Sequence, residues 1–168
     1  MEQALLHNHK TFVVFAIFWL SFSLHSCVEK PVFAGNEKVA TTGWDVAKPV
    51  LFEVAITDTI TAHDMLIHVR NTPEYAYQNF WMFVESSSPS GVVQKDTLEC
   101  ILADNAGKWL GKGVASTREI SVMYFEKIRF PEKGTYTFSI SQGMRNISLV
   151  GIESIGLSIL KEKENGEK

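Results

Sequence analysis

Three polar residues, His63, Asp64 and His68, form the densest group in the chain that could bind a metal ion or transfer protons. Imidazole and carboxylate groups are common zinc ligands, and histidine also acts as a general acid or base near neutral pH. The two histidines are five residues apart, so an extended strand would direct them to opposite faces. A metal site needs convergent ligands. We therefore interpret the three as surface or strand-end residues and expect neither a metal ion nor a cofactor.

The chain lacks the short motifs that mark common catalytic sites. It contains no Gly-x-Ser-x-Gly elbow, no His-Glu-x-x-His zinc motif and no phosphate-binding loop. Cys100 lies in an apolar run, Cys-Ile-Leu, and is expected to be a buried free thiol. These observations favour a protein that is not an enzyme, and they leave catalysis as the least favoured alternative.

Cys27 follows a short apolar run at a spacing that indicates covalent lipidation. The run at residues 11–24 is too short to cross a bilayer as a helix, which needs roughly 20 apolar residues, but it has the length of a signal-peptide core. The sequence Leu24-His25-Ser26-Cys27 is similar to the lipobox of bacterial lipoproteins, in which the Cys thiol forms a thioether to diacylglycerol. We expect residues 1–26 to be a cleaved signal peptide and Cys27 to carry the lipid that holds the chain to a membrane.

The remaining chain has the size and composition of one domain. The protein has 168 residues, 45% of them hydrophobic, and a net charge of -3. This mild acidity gives no basic face for nucleic acid. We divide the mature chain into a lipidated N-terminus and tether at 27–48, a folded domain at 49–161, and a charged tail at 162–168.

The domain shows short apolar or alternating runs separated by turn residues. In the first of them Val50, Phe52, Val54 and Ile56 share one face by period two. The expected strands are 50–56, 65–70, 79–85, 92–102, 108–110, 120–130, 136–140 and 152–160. Their number and spacing predict an all-β fold, an antiparallel β-sandwich that is jelly-roll-like, with a partly closed barrel as the alternative.

Exposed aromatic residues on such a sandwich could bind glycans or proteins. The candidates are Tyr75, Tyr77, Trp81 and Trp109. The simpler interpretation is that Trp81 and Trp109 pack in the core, because large aromatic residues dominate cores. Among possible binding surfaces, the turn residues flanking Trp109 favour the segment 107–113. We predict a partner-binding site there, with Trp109 as the anchor and Lys108 and Lys112 as its polar rim.

The tripeptides Asp58-Thr59-Ile60 and Asp96-Thr97-Leu98 have a common pattern. An Asp, a Thr and then an aliphatic residue is similar to the O-glycosylation signal of periplasmic proteins in Bacteroidetes. Asp-Thr is also ordinary at strand ends. Thr59 and Thr97 are therefore possible modification sites.

Several segments taken in order resemble the gliding motility lipoprotein H (GldH-like) family of Bacteroidetes. The resemblance extends from the lipobox to about Leu160. Its most specific segments are Asp96-Thr97-Leu98-Glu99, Leu102-Ala103-Asp104, Gly107-Lys108-Trp109-Leu110-Gly111-Lys112-Gly113, Phe130-Pro131 with Gly134, Tyr136-Thr137-Phe138, Gln142-Gly143-Met144-Arg145, and Gly151-Ile152 with Ile155-Gly156-Leu157.

The resemblance implies an outer-membrane lipoprotein that works with other gliding-associated lipoproteins and with the linked type IX secretion system. It implies no catalytic residue and no cofactor. The segment Val28-Glu29-Lys30 after the lipobox contains one acid, which favours a domain that faces the periplasm. A glycan-binding envelope lipoprotein remains the alternative function, and a periplasmic enzyme is the least favoured.

Overall fold

A computed structural model of the protein describes residues 30–113 and 115–162. This part of the chain contains ten β-strands, eight of which have six or more residues. The strands are β1 (Phe33–Lys38), β2 (Trp44–Asp45), β3 (Val50–Ile56), β4 (His63–Asn71), β5 (Asn79–Ser87), β6 (Val93–Ile101), β7 (Arg118–Ile128), β8 (Gly134–Gln142), β9 (Ser148–Leu149) and β10 (Ile152–Lys161).

The eight long strands form two antiparallel four-stranded sheets. Sheet A has the order β1-β10-β4-β7, and sheet B has the order β3-β8-β5-β6. The chain alternates between the sheets except at the hairpin of β5 and β6. This order is that of a double-sheet jelly roll, so the predicted fold class is confirmed.

The core lies between the two sheets and follows from the alternation of apolar residues. In β3 the four residues Val50, Phe52, Val54 and Ile56 are buried, and the three residues between them are exposed. Burying a side chain of this size stabilises the fold by about 1.5–3 kcal/mol relative to leaving it in water. β7 and β6 are edge strands of the two sheets. The Tyr124 hydroxyl of β7 donates to Asp96 Oδ2 of β6 at 2.6 Å, which joins the sheets along this edge.

The prediction of a tether at 27–48 is wrong from Pro31 onward. The compact unit begins at Pro31, and β1 pairs with β10 over six residue pairs, from Phe33 with Ile159 to Lys38 with Ser154. The sequence of β1, Phe-Ala-Gly-Asn-Glu-Lys, has no apolar alternation because the strand lies at the edge of its sheet. Its conformation is set by hydrogen bonds to a strand more than a hundred residues away, which no local pattern reveals.

Two further boundaries differ from the sequence-based expectation. Residues 108–110 are not a strand of either sheet; Trp109 forms an isolated bridge with Ala103. Glu162 belongs to the folded part, since its backbone N–H donates to Ala62 O at 2.8 Å and its carboxylate pairs with Lys127. The expected signal peptide, Cys27 and residues 163–168 of the tail lie outside the described residues.

The strand directions give the sandwich two distinct ends. The chain enters β1 beside the end of β10, and the short connections 57–62, 88–92 and 129–133 lie at the same end, which we call the terminal end. The longer connections lie at the opposite end, which we call the loop end. They are 39–49, 72–78, 102–117 and 143–151.

The two histidines of the predicted polar group lie on opposite faces of β4. The ring nitrogens of His68 on the outer face are each 2.8 Å from a hydroxyl, those of Ser121 and Ser158. His63 is the first residue of β4, as the strand-end alternative predicted, but it lies on the inner face and is 1% exposed, so the surface alternative is wrong. Its ring packs edge-on against Phe130 at 5.5 Å, and within the described chain neither ring nitrogen has a hydrogen-bond partner.

Burial of His63 makes stability depend on pH in a defined direction. Burial lowers the pKa of His63 below its ordinary 6.5, Asp58 opposes this shift, and Lys161 reinforces it. The pKa of His68 is also lowered by burial. Below pH 6.5 the unfolded chain therefore binds more protons than the folded one, and the free energy of unfolding decreases as the pH falls.

We predict that His63→Leu reduces the slope of melting temperature against pH between about pH 7.5 and 5. The variant should be at least as stable as the wild type at the upper pH, because it removes a buried imidazole that has no hydrogen-bond partner among the described residues. Thermal melts followed by circular dichroism measure both effects. An unchanged slope in the variant would show that other groups cause the pH dependence.

Candidate functional site at the loop end

The loop end is organised around two buried side chains that fix two of its four connections. β2 and β9 pair through Trp44 with Leu149 and Asp45 with Ser148, which joins the connection 39–49 to the connection 143–151. Trp44 and Leu149 are both buried. The Trp44 indole N–H also donates to Lys48 O at 2.8 Å. This end of the sandwich is therefore held in one arrangement by core packing and hydrogen bonds.

The connection 102–117 projects from this end as a tight hairpin. Asp104 Oδ1 accepts from the backbone N–H groups of Ala106 and Lys108, both at 2.9 Å, and the Asp104 N–H donates to Lys108 O at 3.0 Å. Gly107 has a φ of 79°, which a residue with a side chain rarely adopts. The Asp104 carboxylate thus fixes the turn that presents Lys108.

The predicted trio of Lys108, Trp109 and Lys112 lies along this hairpin. Both lysines are exposed, whereas Trp109 is half-buried and packs against the core. The backbone of Lys112 exchanges hydrogen bonds with Glu119 at 2.9 and 2.7 Å, which anchors the base of the segment. Leu110, which the sequence did not single out, is 50% exposed beside them. The hairpin offers an apolar patch with two cationic groups, and its role in binding stays a prediction.

Two of the other aromatic candidates also lie at the loop end, in different environments. Tyr75 is buried; its hydroxyl donates to Asn79 O at 2.7 Å, and burial raises its pKa well above the ordinary value. Tyr77 is 39% exposed, and its hydroxyl donates to Asn146 Oδ1 at 2.9 Å. Tyr75 is therefore a core residue, and Tyr77 is available at the surface.

Trp81 lies on the outer face of sheet B, so the interpretation that it packs in the core is wrong. It is 37% exposed, and Phe83 on the same face is 52% exposed. The inward residues of β5 are Phe80, Met82 and Val84. Both faces of the strand are apolar, and period two alone could not tell which one is buried. Only the position of β5 in its sheet shows that Trp81 and Phe83 are the exposed residues.

The two possible glycosylation sites are far from the hairpin and from each other. Thr59 is half-buried in the turn 57–62 at the terminal end, where the Asp58 carboxylate accepts from the N–H groups of Ile60 and Thr61 at 2.9 and 3.1 Å. Thr97 is exposed in the middle of β6. The structure does not bring these threonines together with Lys108, Trp109 and Lys112, and their modification stays a prediction.

The remaining features to place are Cys100, groups that could hold a metal ion, and segments that could cross a membrane. Cys100 is a buried free thiol, as predicted, and burial raises its pKa to about 12. In residues 30–113 and 115–162 no three His, Cys, Asp or Glu side chains are grouped so that they could hold a metal ion. The same residues include no helix that is long and apolar enough to cross a membrane. Cys27, the predicted lipidation site, is outside this part of the chain.

Two solved structures show a distant likeness to the fold. A family GH115 4-O-methyl-α-glucuronidase with specificity for decorated arabinogalactans has 8% sequence identity and a TM-score of 0.43, over 82% of this chain and 18% of that one. The Eiger TNF of S. frugiperda has 11% identity and a TM-score of 0.36, over 83% of this chain and 99% of that one. Neither likeness is strong enough to support a statement about function.

Protein relatives give a closer comparison. A gliding motility lipoprotein GldH homolog of Christiangramia forsetii is 32% identical over 157 residues, covering 89% of this chain and 96% of the relative. The gliding motility lipoprotein GldH of Flavobacterium johnsoniae is 29% identical over 133 residues, covering 79% and 82%. The GldH lipoprotein family model matches residues 31–159, nearly all of the sandwich. The resemblance read from the sequence is thereby confirmed, and the chain belongs to the GldH lipoprotein family.

Proposed function

We propose that this protein is held in the outer membrane by a lipid on Cys27, faces the periplasm, and acts as a non-enzymatic interaction component of the gliding motility and type IX secretion apparatus. Membership of a lipoprotein family whose relatives are named for gliding motility supports this role. The observation that carries the proposal is the separation of the two ends of the sandwich. One end receives the N-terminal chain, and the other carries the long connections.

The covalent chain limits how far the terminal end can lie from a lipid on Cys27. Three residues separate Cys27 from Pro31, and the four residue steps between them span at most about 14 Å when extended. The Val32 N–H donates to Ile159 O at 2.8 Å, which fixes this segment beside the end of β10. A lipid on Cys27 would therefore keep the terminal end close to the bilayer surface.

The loop end would then face away from the membrane. A nine-residue strand such as β4 is about 30 Å long, at 3.3 Å per residue. The hairpin with Lys108, Trp109 and Lys112 would lie at that distance from the anchor, where other envelope lipoproteins could reach it. Its patch combines exposed Leu110 and the edge of Trp109 with two lysines, a combination suited to an apolar partner surface with acidic groups at its rim.

A lipid on Cys27 should be visible in the mass of the protein, and its removal should release the protein from the membrane. Protein extracted from membranes should begin at Cys27 and carry the mass of diacylglycerol, with or without an added N-acyl chain. Cys27→Ser should abolish the lipid and release the protein from the membrane fraction, because the remaining chain has lost its acyl anchor. Intact-mass spectrometry of both proteins, with fractionation of the cells, measures this.

Cys100→Ser is the matched control for that experiment, because it removes the other thiol of the chain. It should retain the acyl mass and the membrane location of the wild type. An unmodified wild-type mass that begins at Met1 would contradict the anchor.

If the hairpin binds partners, a change of its exposed lysines should weaken binding without lowering the melting temperature. We expect the double variant Lys108→Glu, Lys112→Glu to lose co-purifying envelope lipoproteins in a detergent pull-down while its melting temperature stays near that of the wild type, because both side chains are exposed. Trp109→Ala should weaken the same binding and also lower the melting temperature, since the indole packs against the core.

Lys133→Glu at the terminal end is the matched control, because it changes an exposed lysine far from the hairpin. It should keep the partners. Retention of all partners by the double hairpin variant would show that the binding surface lies elsewhere.

A further inference from the structure

The outer face of sheet B carries a shallow depression in addition to the loop-end hairpin. It has a volume of about 310 Å³, which is at the small end of ligand sites. Its lining side chains on the outer face are Phe83, Glu85, Lys95, Thr97, Ser139 and Ser141. The three strands that supply them, β8, β5 and β6, are adjacent in the sheet, so the floor is continuous backbone.

The six side chains form two neighbouring rows across the sheet. In the first row Phe83 lies between Ser141 of β8 and Thr97 of β6. In the second row the residues are Ser139, Glu85 and Lys95. An aromatic ring therefore stands between two hydroxyls, and the next row supplies a third hydroxyl, a carboxylate and an ammonium group. The depression combines one apolar platform with hydrogen-bonding groups on every side of it.

A second aromatic side chain extends the platform along β5. Trp81 precedes Phe83 by two residues on the same face, so their Cα atoms lie about 7 Å apart along the strand. Trp81 faces Glu99 of β6, whose carboxylate accepts from Asn79 Nδ2 at 2.6 Å. Glu99 and Asn79 thus add hydrogen-bonding groups beside Trp81. The two aromatic side chains together form a platform long enough for more than one six-membered ring.

We propose that this face binds a neutral hexopyranose polymer, with one sugar ring stacked on Phe83 and a neighbouring ring on Trp81. The C–H face of a pyranose is apolar and flat, so it can cover an exposed aromatic ring and remove apolar surface from water. The sugar hydroxyls would exchange hydrogen bonds with Ser139, Ser141 and Thr97. Such groups in fixed positions give orientation as well as affinity.

The charges of this face favour neutral sugars over acidic ones. Lys95 lies 2.7 Å from Glu85, so its charge is already balanced. Glu99 beside Trp81 accepts from an uncharged amide. The platform therefore presents the Glu99 carboxylate, which accepts hydrogen bonds from neutral hydroxyls and repels uronate, sulfate or phosphate groups.

The small apolar area distinguishes this face from a protein-docking surface. A stable protein interface buries about 800 Å² on each partner and has an apolar centre. Here the exposed apolar side chains are the two rings, Leu51 on β3, and Val93 and Ile101 at the two ends of β6, and serine, threonine and charged side chains lie among them. A glycan needs no larger apolar area than this, because each sugar ring stacks on one aromatic side chain.

Affinity electrophoresis of the full-length lipoprotein in detergent tests the proposal. The native gels contain either a neutral polymer (mixed-linkage β-glucan, glucomannan or amylopectin) or an acidic one (alginate or polygalacturonate). Because Thr97 lies in the floor, a glycan on its hydroxyl would fill the depression, so intact mass is used to select protein with Thr97 unmodified. We expect retardation by at least one neutral polymer and by neither acidic polymer.

Phe83→Ala and Trp81→Ala should each weaken that retardation about tenfold, as loss of a central aromatic contact does in other binding sites. Both side chains are exposed, so the melting temperature should stay near that of the wild type. Met123→Ala is the matched control, because Met123 is an exposed apolar residue, 46% accessible, on a strand of the other sheet. It should bind the polymer as the wild type does.

Three results would overturn the proposal. They are the absence of retardation by all three neutral polymers, equal retardation of the wild type and Phe83→Ala, and equal or stronger retardation by the acidic polymers. Loss of a co-purifying protein from the Phe83→Ala variant, without retardation of the wild type by any polymer, would identify the face as a protein-docking surface instead.

Discussion

The pairing of β1 with β10 is the interaction on which the organisation of this molecule depends. It joins the first long strand to the last through six residue pairs, and the Val32 and Val39 backbone N–H groups extend it by one hydrogen bond at each end, to Ile159 O and Glu153 O. β10 also pairs with β4 and buries Ile155, Leu157 and Ile159 almost completely. Both termini of the folded chain are consequently fixed at one end of the sandwich, and the long connections are left at the other.

If Cys27 carries the proposed lipid, this arrangement would make the N-terminal attachment orient the domain at the membrane. Had residues 27–48 been a tether, as the sequence predicted, the domain could have turned any face toward a membrane. Because the compact unit begins at Pro31, only three residues lie between the fold and Cys27. Such closure over more than a hundred residues carries an entropic cost, which the burial of β10 offsets.

The strands that the sequence predicted best are those with one clearly apolar face. The expected and observed bounds of β3 are the same, and the number and spacing of the strands were enough to predict a jelly-roll-like sandwich. β1 was missed because an edge strand can be polar and glycine-containing when its partner supplies the hydrogen bonds. The order of the strands in each sheet is a property of non-local pairs and could not be read from local patterns.

The candidate surfaces were predicted less well, for a related reason. The residues of β5 from Phe80 to Val84 are all apolar, so the pattern could not show that Trp81 and Phe83 face outward. His63 was expected at the surface or at a strand end. It does begin β4, yet its ring is buried against Phe130 and has no hydrogen-bond partner among the described residues. Side-chain exposure in these cases depends on which sheet covers which face, and only the packed structure shows that.

The central claim is that the terminal end lies at the membrane and the loop end points away from it. Fluorescence quenching tests it on the full-length lipoprotein in vesicles, with a nitroxide-labelled lipid headgroup as quencher and a fluorophore on Ile60→Cys or on Lys108→Cys. Ile60 is 83% exposed at the terminal end, and the buried Cys100 thiol, whose pKa is raised to about 12, should not react with the label. The account predicts strong quenching at position 60 and little at position 108. Equal quenching at both positions, or stronger quenching at position 108, would contradict it.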